Sequence, residues 1–194
     1  MAIEIVTISG SVRQNNNTGR ALSVVAEALK EYPGVIVHEV DLGSIDFSLP
    51  GRPVRDPKVH EFRQMVRNAT GVVIATPEYF GSFSSLLKLA IENLGHPNAL
   101  KGKPVALLGV AGGRIGAIKS LEHLRSVGSH VGALVLPSPL SLDRVRDRFD
   151  ADGAPDEETE ELLQGLAGDL MAYIKTAVCP KVELEDMLRA EQAR

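Results

Sequence analysis

The chain has 194 residues, of which 44% are hydrophobic and 24% charged, and its formal net charge is −4. This composition is ordinary for one globular domain and argues against a disordered or fibrous protein. Acidic and basic residues are mixed without a basic stripe, so we expect no nucleic-acid partner. The single cysteine, Cys179, excludes an internal disulfide and a multi-cysteine zinc site.

Short β-rich runs alternate with longer amphipathic stretches along the chain. The predicted strands lie at residues 3–9, 35–40, 71–76, 104–110 and 131–136, and the predicted helices at 18–32, 58–68, 84–94, 115–127 and 157–177. Five strands alternating with helices predict a doubly wound parallel α/β sheet with helices on both faces. We assign residues 1–178 to this domain and residues 179–194 to a C-terminal tail or short helix.

Several sequence features bear on location and on site type. No apolar run approaches the roughly 20 residues needed to cross a bilayer, so we expect no membrane partner. The first ten residues carry no basic region and include Glu4, which does not fit a signal peptide, and we expect a cytoplasmic protein. The histidines lack metal-ligand spacing and no G-x-S-x-G motif occurs, so we predict neither a metal site nor a catalytic side chain.

Three loops directly follow predicted apolar strands, at residues 10–17, 77–85 and 111–115. Ligands of doubly wound sheets bind beyond the carboxyl ends of the strands, near the point where strand order reverses. These loops are therefore the candidate binding loops.

The first loop reads SGSVRQNNNT over residues 9–18 and leads into a helix. Backbone N–H groups at a helix start, with small hydroxyl and amide side chains, suit a phosphate. Arg13 adds a charged donor, and Gly10 allows the backbone to approach an anion closely. The glycine patterns of Rossmann and Walker nucleotide sites are both absent. An ordinary loop in which Asn17 or Thr18 caps the helix explains the same residues.

The second loop holds Tyr79, Phe80 and Phe83, although the whole chain has only five phenylalanines, three tyrosines and no tryptophan. Aromatic and backbone groups beside a phosphate site suit a planar ligand with polar edges. The alternative is that Phe83 belongs to the core and Phe80 to a surface or an interface.

Both loops resemble the NADPH-dependent FMN reductase family, which includes quinone, azo and chromate reductases. Residues 76–82 (TPEYFGS) and 87–92 (LKLAIE) resemble the P-E-Y-N-G-S turn and L-K-N-A-I-D helix of that family. Residues 10–13 (GSVR) resemble its opening G-S-x-R element, and the motifs occur in order within residues 3–137. Phe80 departs from the pattern, because it replaces the asparagine of the turn.

The resemblance implies a flavodoxin-like five-stranded sheet of order 2-1-3-4-5, bound FMN, NADPH or NADH as donor, and a homodimer or homotetramer. It places the FMN phosphate in the first loop, the isoalloxazine against the second, and the ring edge or the NADPH phosphate near the third. The cofactor residues implied are Ser11, Arg13, Asn16, Asn17 and Thr18, then Pro77, Glu78, Tyr79, Phe80, Gly81 and Ser82, then Gly112, Gly113 and Arg114. A plain turn with a solvated Arg114 explains the third loop equally simply.

The activity implied by the resemblance is NAD(P)H-dependent reduction of a small acceptor: a quinone, a flavin, an azo compound or a metal oxyanion. Hydride would pass to flavin N5 and electrons would leave to an acceptor at the same face, which predicts ping-pong turnover. The alternative is a flavodoxin-like electron carrier that binds FMN but does not use NAD(P)H, although a net charge of −4 is small for docking to basic partners. A further alternative is an α/β domain without flavin that serves in assembly or regulation.

Overall fold

A central parallel sheet organises the chain in a computed structural model, which describes the backbone of residues 3–192 and the side chains of residues 3–185. The strands are β1 Ile3–Ser9, β2 Val35–Asp41, β3 Gly71–Pro77, β4 Pro104–Val110, β5 Leu134–Val135 and β6 Leu140–Leu142. The helices are α1 Asn17–Lys30, α2 Lys58–Asn68, α3 Ser85–Glu92, α4 Ile118–His130, α5 Glu157–Tyr173 and α6 Cys179–Gln192.

The strand order is β2-β1-β3-β4-β5, with β6 also paired to β4, and all pairings are parallel. The predicted α/β class and strand order are confirmed, with a sixth strand added. The chain begins in β1, adds β2 on one side and then returns to add β3 on the other. The reversal of strand order therefore lies between β1 and β3, where a doubly wound sheet forms its binding crevice.

Two hydrophobic layers cover the sheet. Helices α1 and α5 pack on one face, against side chains such as Ile5, Val73 and Leu108. Helices α2, α3 and α4 pack on the other face, against neighbouring strand residues such as Val6 and Ile74. Every residue of β3 and of β4 is buried, because both strands are covered on both faces, which explains why their sequences are apolar without alternation.

The fifth strand differs from its prediction at residues 131–136. Only Leu134–Val135 pairs with the start of β4, and Leu140–Leu142 resumes the pairing beside the end of β4. Pro137 and Pro139 lie in the gap and have no N–H to donate to a ladder, so the edge strand is interrupted there. The loop that follows β6 is thereby brought to the carboxyl edge of the sheet.

Helix boundaries shift where local backbone chemistry overrides the apolar pattern. Helix α4 begins at Ile118 and not at residue 115, because Gly116 has a φ of +74° and the Ala117 N–H donates to Ser141 Oγ at 2.9 Å. The long last helix ends at Tyr173, and a π-helical turn, Ile174–Val178, joins it to α6. Within residues 3–192, no helix combines the length and the apolar character that crossing a bilayer requires.

We expect replacement of Thr7 by valine to stabilise the fold. The Thr7 side chain is fully buried in β1, and among the described residues its hydroxyl has no hydrogen-bond partner. Because an unpaired buried hydroxyl is unfavourable, Thr7→Val should raise the free energy of unfolding by about 1 kcal/mol, measured by urea titration.

Thr76 provides the matched control for Thr7. It is equally buried, but its hydroxyl accepts from the Ser84 N–H at 3.1 Å and donates to the Pro77 carbonyl at 3.0 Å. Thr76→Val should therefore lower the free energy of unfolding by about 1–3 kcal/mol. Equal destabilisation by both substitutions would contradict the assignment of Thr7 as unpaired.

Candidate functional site

A cavity of about 280 Å³ opens at the carboxyl edge of the sheet, where β1, β3 and β4 end. Its lining residues are Ser11, Arg13, Gln14, Asn15, Asn16, Asn17, Thr18, Pro77, Glu78, Tyr79, Val110, Ala111, Gly112, Val145 and Arg146. All three predicted loops thus contribute to one site. A larger groove of about 690 Å³ lies at the opposite edge, beside the segments that precede β4 and β5. The smaller cavity is the candidate site, because ligands of such sheets bind at the carboxyl edge.

The first loop is shaped by Asn16. Its Oδ1 accepts from the Gly19 N–H at 2.7 Å and its Nδ2 donates to the Arg13 carbonyl at 2.6 Å. Asn16 is therefore the residue that caps α1, and the expectation that Asn17 or Thr18 would do so is wrong. The amide oxygen and the amide nitrogen of Asn16 are each engaged once inside the loop, and Nδ2 keeps a second N–H that can face a ligand.

Unused hydrogen-bond donors gather at the same loop. Ser11 and Thr18 are each 3% exposed, both line the cavity, and neither hydroxyl has a partner among the described residues. Within the described chain, the backbone N–H groups of residues 11–18 also donate no hydrogen bond. These groups lie at the positive end of the 14-residue helix α1, so the arrangement favours an anion.

Arg13 connects the first loop to the second. Its guanidinium carbon lies 5.4 Å from the centre of the Tyr79 ring, within the range of a cation–π interaction. Both side chains line the cavity. An anion-binding loop and an aromatic surface therefore meet in one place.

The second loop forms a two-residue turn. Tyr79 and Ser82 exchange backbone hydrogen bonds of 2.9 and 3.0 Å across it. The two central residues, Phe80 and Gly81, have φ values of +51° and +76°, the pattern of a type I′ turn. Phe80, Gly81 and Ser82 lie outside the cavity lining, and the Ser82 hydroxyl is 3.1 Å from Nδ1 of His123.

Glu78 fixes the second loop to α4. Its Oε2 accepts from the Ser120 N–H at 3.1 Å, at the third residue of a helix whose capping position, Ala117, has no side-chain oxygen to offer. A carboxylate at a helix N-terminus satisfies a free N–H and interacts favourably with the helix dipole. The loop that carries Tyr79 is thus held in place by its contact with α4.

One of the three predicted third-loop residues lines the cavity. Gly112 lines the cavity, but Gly113 and Arg114 do not. A Cβ at Gly112 or Gly113 would meet nothing within 4 Å, so the surrounding structure requires glycine at neither position. Glycine is required instead at Gly116, where a Cβ would lie 2.5 Å from Ser141 Oγ.

Two cavity residues that the sequence analysis missed, Val145 and Arg146, come from the loop after β6. This loop is tied to the third loop by the Val145 N–H, which donates to the Ala111 carbonyl at 3.1 Å. The sequence analysis predicted no element between residues 136 and 157, because the three-residue strand β6 was not recognised. A strand-like Leu-Ser-Leu run directly before an arginine-rich loop was the available signal.

The loop after β6 is also anchored by charge. Arg148 donates to Asp143 Oδ1 at 2.7 Å and to the Asp143 carbonyl at 2.9 Å. This hydrogen bond lowers the pKa of the Asp143 carboxyl below its usual range. The contact is therefore intact above the ordinary carboxyl pKa and is lost only as the pH falls through the lowered value.

The fold is that of a flavodoxin-like α/β protein, and the candidate site lies at the β1–β3 reversal. Among known proteins, the chain is 30% identical over 182 residues to an NAD(P)H-dependent FMN reductase of Pseudomonas aeruginosa, covering 89% of this chain and 96% of that protein. It is 29% identical to an NADPH:quinone oxidoreductase of Arabidopsis thaliana, covering 88% and 91%. A solved flavoenzyme NAD(P)H:(acceptor) oxidoreductase of Paracoccus denitrificans matches with a TM-score of 0.73 and 25% identity, covering 90% and 98%.

The chain belongs to the NADPH-dependent FMN reductase family, whose sequence model matches residues 3–147. The family resemblance stated from the motifs is therefore confirmed. Membership also confirms the predicted class, an oxidoreductase that uses FMN and NAD(P)H.

Removal of the Glu78 carboxylate should destabilise the protein, because it leaves the Ser120 N–H without its acceptor. We expect Glu78→Ala to lower the free energy of unfolding by about 1 kcal/mol, measured by urea titration. Glu78→Gln keeps an acceptor oxygen, so it should lower the free energy of unfolding by a smaller amount. Exposed Glu122, on the same helix, is the matched control. An equal effect of Glu122→Ala would show that Glu78 does not cap α4.

Proposed function

We propose that FMN occupies the carboxyl-edge cavity, with its phosphate in the first loop and its ring against the second, and that the enzyme reduces small acceptors such as quinones there. The observation that carries this proposal is the meeting of unpartnered Ser11 and Thr18 hydroxyls with the Arg13–Tyr79 pair in one cavity. The relatives named as FMN and quinone reductases support the same interpretation.

The first-loop end of the cavity fits a phosphate group. Ser11, Thr18 and the backbone N–H groups of residues 11–18, Asn16 and Asn17 among them, are donors without partners in the described chain. Arg13 and Arg146 line the same cavity and add positive charge. Arg146 was not among the residues implied by the family motifs, and the structure places it in the cavity lining. A phosphate dianion is bound most strongly where neutral N–H and O–H donors and guanidinium groups converge on it.

The other end of the cavity fits a flat ring with polar edges. Pro77, Glu78, Tyr79 and Gly112 line the cavity together with the first loop. The Phe80 and Gly81 N–H groups make no hydrogen bond within the described residues, whereas those of Tyr79 and Ser82 are used to close the turn. We assign the two unused groups to the polar edge of the ring, with Gly113 and Arg114 at the entrance.

When bound, FMN supplies the two-electron chemistry that links NAD(P)H to the acceptor. The chain positions the cofactor and needs no catalytic side chain for this. Reduction of a quinone to a hydroquinone consumes one NAD(P)H and one proton. We propose that donor and acceptor occupy the same cavity mouth in turn, which makes the kinetics ping-pong.

Three further proposals follow from the sequence, and of these only the oligomeric assembly rests on the family resemblance. They are a reductase domain at residues 1–178, assembly as a homodimer or homotetramer, and a cytoplasmic location. The remaining segment, 179–194, is helical from Cys179 to Gln192, in keeping with the short helix that was one of its two predicted forms.

Anaerobic addition of NADPH to the FMN-loaded protein tests the proposed function. We expect the yellow colour to bleach without any acceptor and to return when a quinone is added, because the first half-reaction of a ping-pong cycle needs only the donor. Absorbance spectra recorded during the titration provide the measurement. A protein that holds FMN but stays yellow with NADPH and NADH would be an electron carrier, and one that holds no FMN would contradict the proposal outright.

The phosphate assignment predicts a ligand-dependent effect of Arg146. Because a charge-assisted hydrogen bond contributes about 1.5–3 kcal/mol, Arg146→Ala should weaken FMN binding by roughly tenfold to a hundredfold. Riboflavin, which lacks the phosphate, should bind the variant and the original protein equally. Dissociation constants from flavin fluorescence titration measure both.

Arg67→Ala is the matched control for Arg146→Ala, since Arg67 is exposed on α2 and does not line the cavity. It should leave the affinities for FMN and riboflavin unchanged. If Arg146→Ala weakened the binding of riboflavin as much as the binding of FMN, Arg146 would not be a phosphate ligand.

A further inference from the structure

Phe80 combines two unfavourable properties at one position. Its φ of +51° lies in the left-handed region, which a bulky side chain adopts at a cost. Its relative exposure is 110%, so the ring has no contact within the described chain that offsets this cost. Asparagine or glycine would fill the same turn position with less strain. A strained, exposed aromatic side chain is a reason to look for a ligand that covers it.

The surroundings hold Phe80 in this conformation. The turn is closed by two backbone hydrogen bonds between Tyr79 and Ser82, and each flank is fixed to α4, through Glu78 to the Ser120 N–H and through Ser82 to His123. The strain is therefore imposed by a rigid loop. The Phe80 ring is presented in a fixed place, with little freedom to collapse onto the protein.

The Phe80 ring lies beside the mouth of the cavity. Phe80 directly follows Tyr79, whose ring lines the cavity under the Arg13 guanidinium. The turn also lies against the start of α4, because a Cβ at Gly81 would be 3.4 Å from Lys119 Cδ. Ile118, next to Lys119 at this helix end, is 50% exposed. The turn and the start of α4 thus present two exposed apolar side chains, Phe80 and Ile118, beside the side chain of Lys119.

We propose that Phe80 is a specificity-determining residue that selects flat aromatic acceptors, such as quinones, over inorganic oxidants. Its exposed ring offers a stacking surface to an aromatic acceptor, whereas a hydrated inorganic anion gains nothing from it. This inference rests on the proposed function and names the acceptor class of the same site. Phe80→Asn removes the ring but keeps the backbone N–H that we assign to the flavin. Any effect on the flavin or on NADPH is common to both acceptors and cancels in the ratio of their KM values.

The kinetic test compares two acceptors in one pair of variants. With NADPH as donor, Phe80→Asn should raise the KM for a naphthoquinone by about three- to tenfold, the size expected for loss of one aromatic contact. The ratio of this KM to the KM for ferricyanide should rise by the same factor. Leu184→Asn, at a 56% exposed leucine on α6, is the control and should affect neither KM. Because asparagine tolerates a positive φ, the thermal midpoint of Phe80→Asn should not fall, which excludes misfolding as the cause.

A binding test needs no turnover. The chain has no tryptophan, so Phe80→Trp introduces a single fluorescent indole at the proposed contact. Without NADPH, naphthoquinone should quench this fluorescence in a saturable manner, with a midpoint near its KM. Leu184→Trp should show only linear collisional quenching.

The outcomes separate this inference from the proposed function. If the unmodified protein oxidises NADPH with both acceptors but Phe80→Asn leaves their KM ratio unchanged, only the role of Phe80 is refuted. Linear quenching of Phe80→Trp would refute it too, as would a change of oligomeric mass in Phe80→Asn, since a second copy would then cover the ring. Failure of the unmodified protein to oxidise NADPH with any acceptor would refute the proposed function itself.

Discussion

The pairing of β1 with β3 is the contact on which the site depends. The ladder ends at Ser9 opposite Ala75, and the Gly10 N–H extends it by donating to the Ala75 carbonyl at 2.8 Å. A Cβ at Gly10 would lie 3.0 Å from that carbonyl oxygen and 3.3 Å from Leu87 Cβ, so a larger residue would crowd the point where the first loop leaves the sheet beside α3. Beyond this point the connections run to opposite faces of the sheet, and the gap between them is the cavity.

Residues that line the cavity also hold its loops in place. Asn16 uses its side chain to fix the first loop, Glu78 ties the second loop to α4, and the Val145 N–H ties the loop after β6 to Ala111. These contacts leave backbone N–H groups and two hydroxyls free to face a ligand. Such a site suits a cofactor that brings its own chemistry, because the protein then needs only to place it and to balance its charge.

The sequence predicted the parts of the fold that are set by local pattern. The predicted bounds of β1, β4 and α2 match those observed, since each is a strongly patterned segment with clear stops. The fifth strand and the start of α4 were wrong, because the prolines around Ser138 and the left-handed Gly116 override an apolar run. The sequence could not identify which residue caps α1, because Asn16, Asn17 and Thr18 are all good capping residues in a row. Arg146 could not be predicted either, because it reaches the cavity only through the tertiary pairing of β6 with β4.

A crystal structure of the protein with FMN tests the central claim most directly, because the account specifies which cavity is filled and in which orientation. We predict the phosphate within hydrogen-bond distance of the Ser11 and Thr18 hydroxyls, with the ring beside residues 77–82. FMN bound in the groove at the opposite edge of the sheet, or bound in the cavity with its phosphate directed away from the first loop, would contradict the account.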